Sequence, residues 1–217
     1  TKSLDIRKSI FVNEKHPSTA DSYASIASLY RSLSKHQEAV QYHQKALDIR
    51  KHIFGQKHPS IADSYSNLAL VYNDLGEHKT AREYHQEALD IIKLVYGETH
   101  ADIAILCNNL AEAYKHLGDY KKALEYHEMA LAISKSIYGE IHPSTATSYD
   151  NIGSIFRHLE EYEKAQAYHI KALDFRIRIY SEAHHPHIAD SYNNLASVYY
   201  NQGKYDQALD YYFKALD

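Results

Sequence analysis

The chain has 217 residues, 44% of them hydrophobic, enough for one or two domains with a packed interior. Its 24 basic and 28 acidic side chains leave a formal charge of only -4, which argues against nucleic acid or an anionic membrane surface as partner. Apolar runs such as 103–107 are too short to cross a bilayer, the first ten residues lack the build of a signal peptide, and a single Cys107 rules out an internal disulfide or a multi-cysteine zinc set.

From the N-terminus, TKSLDIRKSI at 1–10 matches KALDIRKHIF at 45–54. Residues 1–15 are therefore expected to hold part of a second-type helix and a linker, with Asn13 where other linkers have Gly. HPSTADSY at 16–23 opens the first full unit, and the same letters return as HPSIADSY at 58–65, HPSTATSY at 142–149 and HPHIADSY at 185–192. His16, His58, His100 and His142 fall 42 residues apart, and His185 follows one residue late after an insertion in SEAHHPH. A period of this length signals a solenoid. The units run 16–57, 58–99, 100–141, 142–184 and an incomplete 185–217.

Within a unit, Ala62, Tyr65, Leu68, Ala69 and Tyr72 recur at the steps of one helical face, predicting a helix A over 61–75. After Gly76, the residues Ala81, Tyr84, Ala88, Leu89, Ile92 and Val95 predict a helix B over 81–95. Between units, Gly suits the left-handed close of helix B, and all four prolines fall where the next helix A begins. No alternating strand pattern is present, so the expected fold is an all-α solenoid of antiparallel helix pairs. Neither end has the look of a capping repeat, which suggests a piece of a longer array whose exposed ends can self-associate.

Read whole, the unit HPSIADSYSNLALVYNDLGEHKTAREYHQEALDIIKLVYGETH carries Leu-Ala-x-x-Tyr, a Gly turn, then Ala and Ala-Leu. It resembles the tetratricopeptide repeat, and its 42-residue length, HP opening and YGE ending are similar to the repeats of kinesin light chains. The resemblance implies a right-handed superhelix whose A helices line a concave groove for a peptide segment. The single cysteine and the missing export signal suit a cytoplasmic location, and a non-enzymatic scaffold without cofactor is expected. The resemblance also implies that Asn67, Asn109, Asn151 and Asn194, with Ser25 in the first unit, hold a ligand's main chain or carboxylate. The alternative is that these amides bond locally within their own repeats.

Four residues earlier stand Asp21, Asp63, Ile105, Thr147 and Asp190, where chaperone-tail binders of the family place Lys, so acidic chaperone tails are disfavoured. Arg31, Lys115, His116, Arg157 and His158 lie late in helix A and predict a basic lip, with Arg31, Lys115 and Arg157 as its cations. A mixed-charge peptide fits such a groove, although the same placement also complements the helix dipole.

Other recurrent residues read as architecture. His43, His85, His127 and His169 each belong to a different helix B, too far apart to share a zinc ion, and are expected to pack where an aromatic otherwise stands. The linker histidines, including the local cluster His184, His185 and His187, are not assigned a metal. Cys107 takes the place of Tyr23, Tyr65, Tyr149 and Tyr192 and is expected in the core; the tyrosines themselves are expected mostly at seams between repeats. No phosphate loop, nucleophile elbow or metalloprotease motif appears, so no catalytic residue is assigned. The rival reading is a regulatory or sensor segment of a larger multidomain enzyme or nucleotide-dependent switch protein.

Overall fold

The computed structural model describes residues 16–180 and 185–216. The expected helix and linker at 1–15, with Asn13, and His184 of the histidine cluster lie outside the described residues. The described residues form ten helices and no strand: α1 (Pro17–Ser32), α2 (His36–Phe54), α3 (Pro59–Asp74), α4 (His78–Tyr96), α5 (Ala101–His116), α6 (Tyr120–Tyr138), α7 (Pro143–His158), α8 (Tyr162–Tyr180), α9 (Pro186–Asn201) and α10 (Tyr205–Leu216). They group into two compact units, one ending at Leu117 and holding α1 to α5, the other starting at Gly118 and holding α6 to α10.

Helix B begins about three residues before the first apolar position that marked it, because the turn after helix A closes quickly. In the second repeat, Gly76 adopts φ +76° and the Glu77 amide bonds back to the Tyr72 carbonyl at 2.8 Å, ending α3 and leaving α4 to start at His78. So short a connection makes the two helices antiparallel neighbours.

The opening letters of each helix A are explained by the histidine. His16, His58, His100, His142 and His185 are N-caps with extended backbone, and each ring Nδ1 accepts from the backbone N–H two residues on, at 3.2 Å. A ring nitrogen thus serves where a Ser or Asp oxygen usually does. Four of these rings also stack on the aromatic that ends the preceding helix B: Phe54 with His58 and Tyr96 with His100 at 4.3 Å, Tyr138 with His142 at 4.2 Å, and Tyr180 with His185 at 3.5 Å. Cap and stack together set the entry of each helix A.

In the first unit, α1 packs on α2, α2 on α3, α3 on α4 and α4 on α5. In the second, α6 packs on α7, α7 on α8, α8 on α9 and α9 on α10. Alanines at 0% exposure, among them Ala27, Ala39, Ala69, Ala81, Ala165 and Ala196, bring backbones close, while Leu68, Leu110, Ile152 and Leu195 fill the space between. Burying each of these larger side chains stabilises the fold by about 1.5–3 kcal/mol.

The tyrosine rings correct the seam expectation in part: Tyr96, Tyr138 and Tyr180 meet the next repeat through its histidine, but many of the others do not sit at a seam. They stack inside their own hairpins: Tyr42 lies 5.9 Å from Tyr23 and 5.3 Å from Tyr30, Tyr84 lies 5.5 Å from both Tyr65 and Tyr72, and Tyr211 lies 5.2 Å from Tyr199. A helix B ring wedged between two helix A rings uses apolar area within the pair. The hydroxyl can still cross to the neighbour, as at Tyr199, which accepts from the Gln166 amide at 2.7 Å.

Candidate binding cleft

In the first unit, two A helices and the B helix between them enclose a polar cleft of about 310 Å³. Ser28, Arg31 and Ser32 come from the last turns of α1, Asn67 and Asp74 from α3, and His43 from α2. Two residues singled out in the sequence, Arg31 and Asn67, thus meet at one place. Asn67 is half-buried, and its amide makes no hydrogen bond among the described residues. Arg31 is committed: its Nε lies 2.5 Å from Asp74 Oδ2, and a second nitrogen donates to Oδ1 at 3.3 Å. This fork joins the ends of successive A helices and cancels the arginine charge.

The other candidates are spread over α5, α7 and α9, apart from Ser25 on α1. Asn109, on α5, and Asn194, on α9, are half-buried with no side-chain hydrogen bond among the described residues. Asn151, on α7, is half-buried and engaged within the chain. Lys115 pairs with Glu112 one turn earlier on α5, whereas Arg157 on α7 has no ion-pair partner among the described residues. Ser25 bonds to the Asp21 carbonyl of its own helix at 2.9 Å.

On the acidic side, Asp21 is held by Arg50 at 2.9 Å. Asp63, Asp102 and the exposed Ile105 line a smaller cleft of about 170 Å³ formed by α3, α4 and α5, and burial raises the Asp63 pKa above the usual carboxylate value.

Three features were not assigned to a site from the sequence, His43 having been expected only to pack. His43 forms part of the cleft wall while only 3% exposed, and burial, with Arg50 and Arg31 nearby, lowers its pKa to about 4. Arg50 and Arg176, at the same place in the first and fourth repeats, reach into the next helix A. Arg50 donates to Ser64 Oγ at 2.7 Å and Arg176 to Ser191 Oγ at 2.6 Å, and Arg176 also donates to the His187 carbonyl at 3.1 Å. Arg176 further pairs with Asp150, whose other oxygen lies 2.7 Å from His169 Nδ1, a buried network. A signal for the last was present: Asp150 and Gly153 break series that elsewhere read Ala24, Ser66, Asn108, Asn193 and Ala27, Ala69, Ala111, Ala196.

Cys107 is fully buried, and burial pushes its thiol up to about 11, so it is an inert core residue rather than a nucleophile. Among the described residues no three His, Cys, Asp or Glu side chains converge, and no helix is long and apolar enough to cross a membrane.

The tetratricopeptide repeat pattern matches residues 60–136, 102–178 and 144–217, and a second pattern of the same description matches 19–60. The chain belongs to the tetratricopeptide repeat family. Repeats of this family serve broadly as scaffolds for contacts between proteins and are typically not enzymes. The array is similar in fold to BtubC (BKLC) from P. vanneervenii, with a TM-score of 0.81 and 22% identity over 99% of this chain and 85% of that one. It is similar to a kinesin-light-chain-like protein of Podosopora anserina with nearly identical TPR-like repeats, with a TM-score of 0.78 and 23% identity over 93% of this chain and 95% of that one. The apo form of RapI matches with a TM-score of 0.74 and 23% identity over 90% of this chain and 68% of that one. A search of curated protein sequences returned no match.

Proposed function

We propose that this tetratricopeptide array is a non-enzymatic cytoplasmic scaffold that holds an extended segment of a partner protein against its A helices. The observation that carries the reading is the pair Asn67 and Asn109 in the first unit, whose half-buried amides are used by no neighbour among the described residues. An amide offers two donors and one acceptor, and so grips a polypeptide main chain whatever its sequence. Asn194 repeats the arrangement in the second unit, where Asn151 is the remaining candidate. Among the predicted cations, Arg157 is the one with charge to spare, since Arg31 and Lys115 already face carboxylates. The segment therefore needs few acidic groups.

The test selects binders from a displayed random-peptide library on the whole chain, then measures the selected peptides by titration calorimetry against Asn67→Ala/Asn109→Ala. The expected result is a loss of affinity of about tenfold or more, equivalent to about 1.4 kcal/mol, with helicity and melting unchanged. Peptides that bind the double variant as tightly as the parent would overturn the assignment, as would a library that yields no binder.

A further inference from the structure

The repeat position of His43 recurs as His169 in the second unit, and the two rings are treated differently. His169 is held through Nδ1 by Asp150 at 2.7 Å. In the first hairpin, the place of that carboxylate is taken by Ala24, and the His43 ring, 3% exposed, has no hydrogen-bond partner among the described residues. It lines the cleft it shares with Asn67. Two polar side chains of complementary capacity, one deeply buried, thus line the same space with no hydrogen-bond partner among the described residues.

The rest of the lining defines what satisfies them. Ser28 and Ser32 donate their hydroxyls to carbonyls of their own helix, at 3.1 Å each, so their oxygens serve the cleft only as acceptors. Arg31 and Asp74 neutralise each other. His43 is uncharged near neutral pH because burial lowers its pKa to about 4. The cleft therefore offers fixed donors and acceptors and no net charge. With Arg31 and Asp74 already paired, neither a carboxylate nor an ammonium group finds a free counter-charge there. An apolar side chain leaves His43 and Asn67 dry and unpaired, at about 1–3 kcal/mol for each. A primary carboxamide has two N–H donors and a carbonyl, which matches a neutral imidazole and a facing amide. The volume of about 310 Å³ is at the small end of the range of about 300–1,000 Å³ typical of ligand pockets, which suits one side chain rather than a whole cofactor.

The geometry points to this cleft as a subsite for the side-chain carboxamide of a glutamine or asparagine carried by the bound partner segment. The inference rests on the peptide-binding reading: Asn109 holds the segment's main chain, while Asn67 spends part of its amide on that chain and the rest on the one side chain the cleft selects.

Propionamide, N-methylacetamide and propionate are titrated in turn into the isotopically labelled whole chain, with the His43 ring and the Asn67 side-chain amide followed by NMR. Propionamide is expected to give saturable shifts at both groups, at least fivefold larger than those from N-methylacetamide, which mimics the main chain, or from propionate. His43→Phe keeps an aromatic of similar shape and is expected to abolish saturation; Asn67→Ala, at a half-buried site, does the same where the Phe variant fails to fold. An equal response to N-methylacetamide, persistence of the shifts in both variants, or no saturable shift with propionamide overturns the subsite. In any of those cases, library peptides that still weaken on Asn67→Ala/Asn109→Ala leave the scaffold reading standing, so the two ideas fail separately.

Discussion

Asp150 and His169 are buried together in the fourth hairpin, Oδ1 to Nδ1 at 2.7 Å, with 7% and 1% of their side chains exposed. The same carboxylate faces Arg176, so one anion answers two basic groups inside the array. Asp150→Ala leaves a guanidinium and an imidazole without their shared acceptor. Removing one partner of a buried pair costs about 3–5 kcal/mol, and urea unfolding should show a loss in that range. A loss below about 1 kcal/mol would mean that water takes over the acceptor's role.

Gly153 makes room for that network. A Cβ placed there would lie 2.9 Å from His169 Cε1 and Nε2. Ala stands at the same place in the other repeats, and in a helix interior Ala is favoured over Gly by about 0.5–1 kcal/mol. Gly153→Ala should nevertheless destabilise, because crowding a packed site costs about 1–3 kcal/mol. The penalty should shrink in an Asp150→Ala background, where the ring is free to move. Equal penalties in both backgrounds would separate the glycine from the ion pair.

The helical solenoid was readable because its information is periodic: a 42-residue beat, Gly and Pro at fixed offsets, and apolar steps that specify two helix faces. The site was readable only in part. Asn67 stood out because it recurs, whereas His43 recurs equally and was read as packing, since a buried ring in a cleft wall and one in a core have identical sequence signatures. The Arg31 to Asp74 fork depends on how the A helices of adjacent repeats line up, which local pattern does not encode. The tyrosine stacks were misplaced for a related reason. Periodicity gives a residue's face, but not whether that face meets its own hairpin partner or the next repeat.

Glu160 occupies the turn position that is glycine at Gly76, Gly118 and Gly203, and it adopts φ +61°. A side chain in the left-handed region costs about 1–2 kcal/mol relative to the usual conformations. Part of that is offset by the unfolded-state entropy that glycine introduces. Glu160→Gly should therefore stabilise the chain by about 0.5–1 kcal/mol, read as a higher urea midpoint at unchanged slope. A lower midpoint would show that the glutamate makes a compensating contact in the turn.

Acid should loosen the first unit through two histidines. Burial lowers His43 and His85 from 6.5 to about 4, His43 with added help from Arg50 and Arg31. His85 is fully buried, and neither ring nitrogen has a hydrogen-bond partner among the described residues. Both rings are neutral in the folded and unfolded chain well above pH 6.5, where they leave stability independent of pH. As pH falls from about 6.5 to about 4 the unfolded chain takes up protons that the folded chain refuses, so stability drops through that window and levels off below it. A depression of this size corresponds to about 3 kcal/mol for each ring at about 1.36 kcal/mol per pKa unit. Urea midpoints measured from pH 7 to pH 4 should fall steeply for the parent chain and less steeply for His85→Phe, with the His43→Phe/His85→Phe double variant shallowest. Parallel curves for all three would assign the acid sensitivity to other groups and exclude these buried imidazoles as its source.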